Sequence, residues 1–204
     1  MTKFFVIEGP DGTGKSTVIS GLKERFKNRN ILFFREPGGS PVGEKIREIL
    51  LDKSTNISPQ TEALLFAAMR SENYEMIKAL PSDVEAIIAD RFLLSSLCYQ
   101  GYGLGLGAQR IEELNDFSLN GFRPDKYIVL MMPHKGSFNR VVGERELDRV
   151  ELRGDGFFDK VEDGYWDIVG TKLGENGLYY VVDASLSKGE VLDEVASYIE
   201  NQLK

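Results

Sequence analysis

Cysteine, histidine and tryptophan each occur once in these 204 residues, as Cys98, His134 and Trp166. A lone thiol excludes an internal disulfide and fits a reducing compartment, so the expected location is the cytoplasm. Cys98 lies between Leu97 and Tyr99 and reads as a small buried hydrophobe rather than a nucleophile. One histidine cannot build a metal cluster, and His134 is expected in a loop after a strand. Long apolar runs are missing as well. No stretch approaches the roughly 18 residues that span a bilayer, and the apolar run ending at Glu8 is too short for a signal peptide. Positive charge is in deficit, with 25 Lys+Arg against 32 Asp+Glu and a net charge of −7. Non-specific binding to nucleic acid or to a membrane surface needs a basic patch, so neither partner is expected. At 42% hydrophobic and 28% charged residues, the chain fits one globular domain over 1–204 with a sizeable core.

What is present begins at residue 9. Gly9-Pro10-Asp11-Gly12-Thr13-Gly14-Lys15-Ser16, followed by Thr17, has the form G-x-x-x-x-G-K-[ST]. A short apolar run, Lys3 to Glu8, precedes it. Val18, Ile19, Leu22 and Phe26 follow at helical spacing. Glycines in such a loop let successive N–H groups turn inward, and with the positive end of the next helix they form a nest for phosphate oxygens. Lys15 is expected on the β/γ-phosphates and the Ser16 hydroxyl on Mg²⁺, with ATP as the nucleotide.

Further strand-like runs fall near Ile31–Phe34, Val84–Ala89, Tyr127–Met132 and Leu178–Val182. Helical patterns lie between them, at Glu44–Leu51, Gln60–Leu80, Ala108–Leu119 and Phe157–Leu173, with a last one carrying Val191, Val195 and Ile199. Alternation of this kind predicts an α/β three-layer sandwich, a parallel sheet covered by helices on both faces. Gly101 to Gly107 follows no strand and reads as a loop. A GTPase would need N-K-x-D after the fourth strand, which is absent, and Asp167-Ile168-Val169-Gly170 lies too far along the chain to be a γ-phosphate switch. The third strand ends in Asp90-Arg91. A strand-end carboxylate beside the loop can hold Mg²⁺ through water, and the adjacent arginine would serve a second anion. That pairing points to a phosphate donor and a phosphate acceptor bound together.

Four blocks then give the chain a resemblance to bacterial thymidylate kinases. They are Glu8–Thr17; Arg35-Glu36-Pro37-Gly38-Gly39 with Gly43, Glu44 and Arg47; Glu62–Arg70; and Asp90–Gly101. Arg123-Pro124-Asp125, Glu146-Leu147-Asp148-Arg149 and Val182-Asp183-Ala184 add to it. The resemblance implies a nucleoside-monophosphate-kinase fold with five parallel strands and a flexible lid over about 140–158. It implies transfer of the γ-phosphoryl of ATP to dTMP by a homodimer. It also implies that Phe66 stacks on thymine, Arg70 bonds the 4-carbonyl, and Gln100 contacts the N3 side. Ser96 would be a further base-side contact, Arg35, Arg47 and Arg91 the dTMP-phosphate ligands, and Asp11 a carboxylate near the 3′-hydroxyl and acceptor phosphate. By spacing alone, Phe66 and Arg70 share one helix face, and core packing for Phe66 or a surface charge for Arg70 stays equally open.

Arg140, Arg145, Arg149 and Arg153 alternate with Glu144, Glu146, Asp148 and Glu151. Taken alone, this run reads as a solvated charged face. In the resembling family the transition-state arginine comes from the phosphate loop or from the lid. Gly12 occupies the loop position here, so the finger is expected from the lid, Arg145 first and Arg149 second, with Arg140 on the ATP side. Three departures stand out: Phe92 where relatives often carry Tyr or His, Leu104 where many carry Arg, and Leu130-Met131-Met132 in place of L-D-V. The alternatives left open are a P-loop kinase for another deoxynucleotide or a deoxynucleoside, and a catalytically silent nucleotide-binding subunit.

Overall fold

A computed structural model describes residues 2–132, 147–172 and 177–204. His134, Arg140 and Arg145, with residues 140–146 of the lid expected over about 140–158, lie outside these residues.

Five parallel strands run β1 (Lys3–Glu8), β2 (Ile31–Arg35), β3 (Ala86–Asp90), β4 (Lys126–Met131) and β5 (Tyr179–Asp183), ordered β2-β3-β1-β4-β5 across the sheet. Strand β1 is central and buried on both faces, which is why it reads as an unbroken apolar run. Its alternate residues supply two cores. Phe4 and Val6 pack with Phe92, Leu97 and Val161 on one side, and Phe5 and Ile7 pack with Leu22, Val195 and Ile199 on the other. The first side is covered by α3 (Pro59–Lys78), α4 (Leu93–Ser96), α5 (Ala108–Leu119) and α6 (Asp155–Lys172); the second by α1 (Lys15–Arg25) and α7 (Lys188–Gln202). A smaller cluster of Ile46, Leu50 and Met69 joins α2 (Pro41–Leu51) to α3 and takes in Phe66.

Helix starts follow local chemistry. Ser40 Oγ accepts from Gly43 N and Ser58 Oγ from Thr61 N, each with proline at the first helical position. This capping starts α2 at Pro41, three residues before its hydrophobic pattern becomes visible. Helix α7 begins with a reciprocal capping box between Ser187 and Glu190. Strand β3 begins at Ala86 rather than Val84, because the Val84 N–H is spent on Pro81 O in a turn. The stretch expected as a glycine loop is in part helical: Leu97–Gly103 forms a π-helical turn that continues α4. Such turns cluster at functional sites, and this one carries Tyr99 and Gln100. Asp167 sits inside α6, where it accepts from the Tyr102 hydroxyl. Among the described residues no helix is long and apolar enough to cross a membrane.

Because all strands run the same way, the C-terminal ends of β1, β3 and β2 open on one edge. In register, Asp90 is flanked by Ile7 and Arg35. Open parallel sheets bind ligands at this edge.

Candidate active site

The loop after β1 is shaped by backbone that only glycine tolerates. Gly9 has φ +139°, and a Cβ there would lie 2.3 Å from Leu130 O of the neighbouring strand. Gly14 has φ +90° and ends the loop without any side-chain cap on α1. The first N–H groups of α1 are therefore free to face a ligand. Lys15 Nζ donates to Gly9 O at 2.8 Å and Pro10 O at 2.7 Å, back across the loop. Burial, followed by the positive charge of Arg91, lowers its pKa to about 8.

Opposite the loop, Arg91 takes φ +68°, unusual for a residue with a side chain. Glu8 holds this turn in place. Its buried carboxylate accepts from Phe92 N at 2.9 Å, Ser95 N at 3.1 Å, Ser95 Oγ at 2.8 Å and the Tyr165 hydroxyl at 2.8 Å. The Arg91 guanidinium pairs with Asp11, donates to Gly9 O and Ser95 Oγ, and lies 5.0 Å over the Tyr99 ring. Tyr99 in turn donates to Asp11 Oδ2 at 2.7 Å. Burial works to raise the Asp11 pKa, but the charges of Arg91 and Lys15 outweigh it and hold the carboxyl below its ordinary value. Asp11 is therefore an anion at neutral pH.

A cleft of about 580 Å³ joins these groups. Asp11 to Thr17 line one part, with Asp90, Arg91, Arg35 and Arg47 beside them, and Phe66, Arg70, Ser96 and Gln100 further in. Every dTMP-side residue expected from sequence thus borders one cavity. Arg35 pairs with Glu44 at 3.0 Å, and Arg47 donates to Pro37 O at 2.6 Å. Burial and then the charge of Arg35 lower the Arg47 pKa, as expected for two cations sharing a rim.

Arg70 is not a surface charge. It is fully buried, with Nε and Nη2 on Glu36 Oε2 at 2.9 and 2.6 Å, Nη1 on Asn115, and Nη2 also near Phe92 O and Ser96 Oγ. Phe92, where a hydroxyl or imidazole was expected from relatives, packs edge-on against Phe4 and lies under the Arg70 guanidinium at 5.3 Å. Leu104 and Met131 both pack into the core. Nor are Arg149 and Arg153 a solvated face. Arg149 donates to Leu50 O at 2.7 Å and Glu62 Oε2 at 2.6 Å, and Arg153 to the same oxygen at 2.5 Å. The buried Glu62 carboxylate draws them in. Arg149 does not line the cleft, although Asp148 and Val150 do.

Sequence reasoning passed over Glu8, Tyr165, Glu62 and Asn115, and also the far end of the cleft. There Ala184, Leu186 and Val191 form an apolar wall with Lys188 at its edge. An isolated acid closing an apolar strand, as Glu8 does, was the available signal for one of these.

A family model described as thymidylate kinase matches residues 7–195. The chain belongs to the thymidylate kinase family. It is similar to the thymidylate kinase of Staphylococcus haemolyticus (strain JCSC1435), 36% identical over 207 residues and covering all of both chains. It is 43% identical to that of Thermoanaerobacter sp. (strain X514) over 171 residues, 82% of this chain and 83% of the relative. A crystal structure of a thymidylate kinase from Ehrlichia chaffeensis superposes with TM-score 0.74 at 26% identity, over 98% of each chain. The enzyme is thus a P-loop kinase whose phosphate donor is ATP, and the cleft is where its chemistry has to be sought.

Proposed function

We propose that this chain transfers the γ-phosphoryl of ATP to the 5′-phosphate of dTMP, giving dTDP and ADP. The observation that carries this reading is one buried atom. Gln100 Oε1, in the wall of the cleft, is the only buried side-chain polar atom among the described residues without a hydrogen-bond partner. An orphan acceptor in a closed site calls for a donor, and the N3–H of a thymine ring is one. Phe66 supplies a face for the ring. Arg70 has five N–H donors. Its nitrogens in the network above leave one Nη1 N–H uncommitted, enough for a single substrate carbonyl. Arg35, Arg47 and Arg91 then meet the 5′-phosphate, and Ser96 borders the base. Asp11, ionised and tied to Arg91, takes the sugar 3′-hydroxyl and keeps that guanidinium at the loop mouth.

At the other end, Gly9 to Thr17 wrap the phosphates of ATP and the wall of Ala184, Leu186 and Val191 faces the donor base; Arg140 is assigned to ATP on the resemblance alone. A phosphate oxygen of dTMP attacks the γ-phosphorus while the bond to the β,γ-bridging oxygen breaks. The nucleophile is already an anion, so no general base is required. The residues instead hold two highly charged groups in line and offset their charge. Lys15 does this at the bridge, and a lid arginine does it on the transferring group: Arg145 first, with Arg149, second by resemblance, able to serve only by leaving Glu62 and Leu50 O. Ser16 and Asp90 offer hard oxygen ligands beside the loop, a donor set that fits Mg²⁺. Among the described residues no three acidic, His or Cys side chains form a cage, as suits an ion that keeps mostly water and phosphate oxygens. When bound, Mg²⁺ neutralises phosphate charge.

The kinase acts as one unit over 1–204 with its lid at about 140–158, as a cytoplasmic homodimer. Phe117 on α5, at 89% exposure, and Leu64 on α3, at 57%, are large apolar side chains left at the surface, as a second copy would cover. A coupled ADP-release assay with dTMP, dUMP, dGMP and thymidine tests the assignment. Turnover is expected with dTMP. Preference for thymidine would make the chain a nucleoside kinase, and silence with all four would make it a binding subunit.

A further inference from the structure

Glu62 is fully shut off from solvent, in the first turn of α3, and has no part in the phosphate chemistry. Four N–H groups converge on its carboxylate. Gln100 Nε2 lies 3.0 Å from Oε1 and Arg153 Nη1 3.1 Å from the same oxygen; Arg149 Nη2 and Arg153 Nη2 lie 2.6 and 2.5 Å from Oε2. Burial works to raise its pKa, but the hydrogen bond and charge of Arg153, with Arg149 and Gln100, bring it below the ordinary carboxyl value. Glu62 is therefore ionised, and an ionised carboxylate can only accept.

That has a consequence for its neighbour. The two ends of a glutamine amide are nearly equal in size but opposite in hydrogen-bond sense. Facing an accept-only group, Gln100 has to present its NH₂, which leaves Oε1 as the partnerless atom at the cleft. We propose that Glu62 is a positioning residue which fixes the face Gln100 shows to the base, so that the site selects pyrimidines carrying a hydrogen on N3. This rests on the cleft being the dTMP site. A neutral amide in place of Glu62 can both donate and accept, so Gln100 could turn and meet an N3 lone pair with its NH₂.

The probe is 5-methyl-2′-deoxyisocytidine 5′-monophosphate. It keeps the 4-carbonyl and 5-methyl of dTMP but carries a lone pair at N3. The ratio of kcat/KM for dTMP to that for the probe is measured in wild type, E62Q and E62D. Wild type is expected to favour dTMP at least a hundredfold. E62Q should narrow the ratio at least tenfold, and E62D, which keeps an accept-only group, should preserve it. A merely structural role would lower both substrates alike, so a ratio narrowed less than tenfold in E62Q overturns the proposal. Failure of wild type to phosphorylate dTMP would overturn the reading of the cleft itself, a distinguishable result. Should E62Q not fold, wild type labelled with ¹⁵N-glutamine decides. The Gln100 side-chain amide, assigned by its loss in Q100L, is expected to exchange its protons slowly, and free exchange refutes the pairing.

Discussion

Replacing Arg70 with alanine separates its structural job from the base-reading one proposed for the same side chain. Arg70 heads the fully buried side chains by volume, and its main partner is Glu36, itself buried. Without the guanidinium, Glu36 keeps Asn73 Nδ2, at 3.1 Å on Oε1, and nothing that carries charge. Stranding one member of a buried pair costs about 3–5 kcal/mol. A domain of this size loses about 2–4 °C per kcal/mol, so Tm should fall by about 6–20 °C at pH 7.5. The pH dependence has a definite sign. Burial already raises the Glu36 pKa above the ordinary 4.5 despite Arg70, and Arg70→Ala raises it further. A carboxyl with a raised folded-state pKa destabilises most above that pKa, and the penalty fades as pH falls toward 4.5 and the group takes up a proton in both states. The gap between Arg70→Ala and wild type should therefore shrink between pH 7.5 and 5. Adding Glu36→Gln to Arg70→Ala should restore more than half of the lost Tm, because no carboxylate is stranded. Selectivity for the 4-carbonyl should stay relaxed in both, since the base-side donor is gone. Calorimetric melts across that pH range, with dTMP and dCMP turnover alongside, check this. An Arg70→Ala variant that melts within about 2 °C of wild type, or a gap that widens on acidification, would refute the buried-pair account.

Phe66→Ala should weaken dTMP binding by about 1–3 kcal/mol, the range for an aromatic–base stack; unchanged dTMP affinity with weaker ATP binding, read by calorimetric titration, would place α3 at the wrong substrate. Lys15→Ala should abolish turnover with little change in Tm. Since the Lys15 pKa lies at about 8, kcat/KM for ATP in wild type should fall as pH rises through that value, and a flat profile to pH 9.5 would contradict it. Arg145→Ala should lower kcat by about 10³ or more with dTMP affinity nearly intact, as for a lost arginine finger. If neither Arg145→Ala nor Arg149→Ala lowers kcat by even about tenfold, or 1.4 kcal/mol of barrier, the charge is carried elsewhere.

Features legible in the sequence were those set by neighbours along the chain. The phosphate loop depends on glycine angles, α5 on its own periodicity, and Asp90-Arg91 on where an apolar strand stops. The buried polar network was not legible, because its partners are far apart in sequence. Tyr165 reaches Glu8 across 157 positions, and Arg149 reaches Glu62 across 87. An acid in the first turn of a helix, such as Glu62, has an ordinary local explanation in the helix dipole, so nothing marks it as a buried anchor. The π-helical turn escaped for a related reason. Its glycines fit a loop equally well, and it is fixed by packing of Leu97 and Tyr99 against α6. The arginine run misled because alternation of sign describes the chain, whereas burial of one distant carboxylate decides where the arginines go.

The same carboxylate bears on which lid arginine acts. Glu62 holds Arg149 and Arg153 with one oxygen each or both, while its Oε1 also holds the amide of Gln100. Arg149 and Arg153, in the segment proposed as the lid, and Gln100, proposed to meet the base, are thus tied to a single buried charge at the start of α3. Arg149 could reach a transferring phosphoryl only by leaving Glu62 and Leu50 O together, which would strand part of a buried anion. These contacts count against Arg149 as the finger and give it the task of holding the Glu62 carboxylate beside Gln100; the assignment of Arg145 rests on the family resemblance.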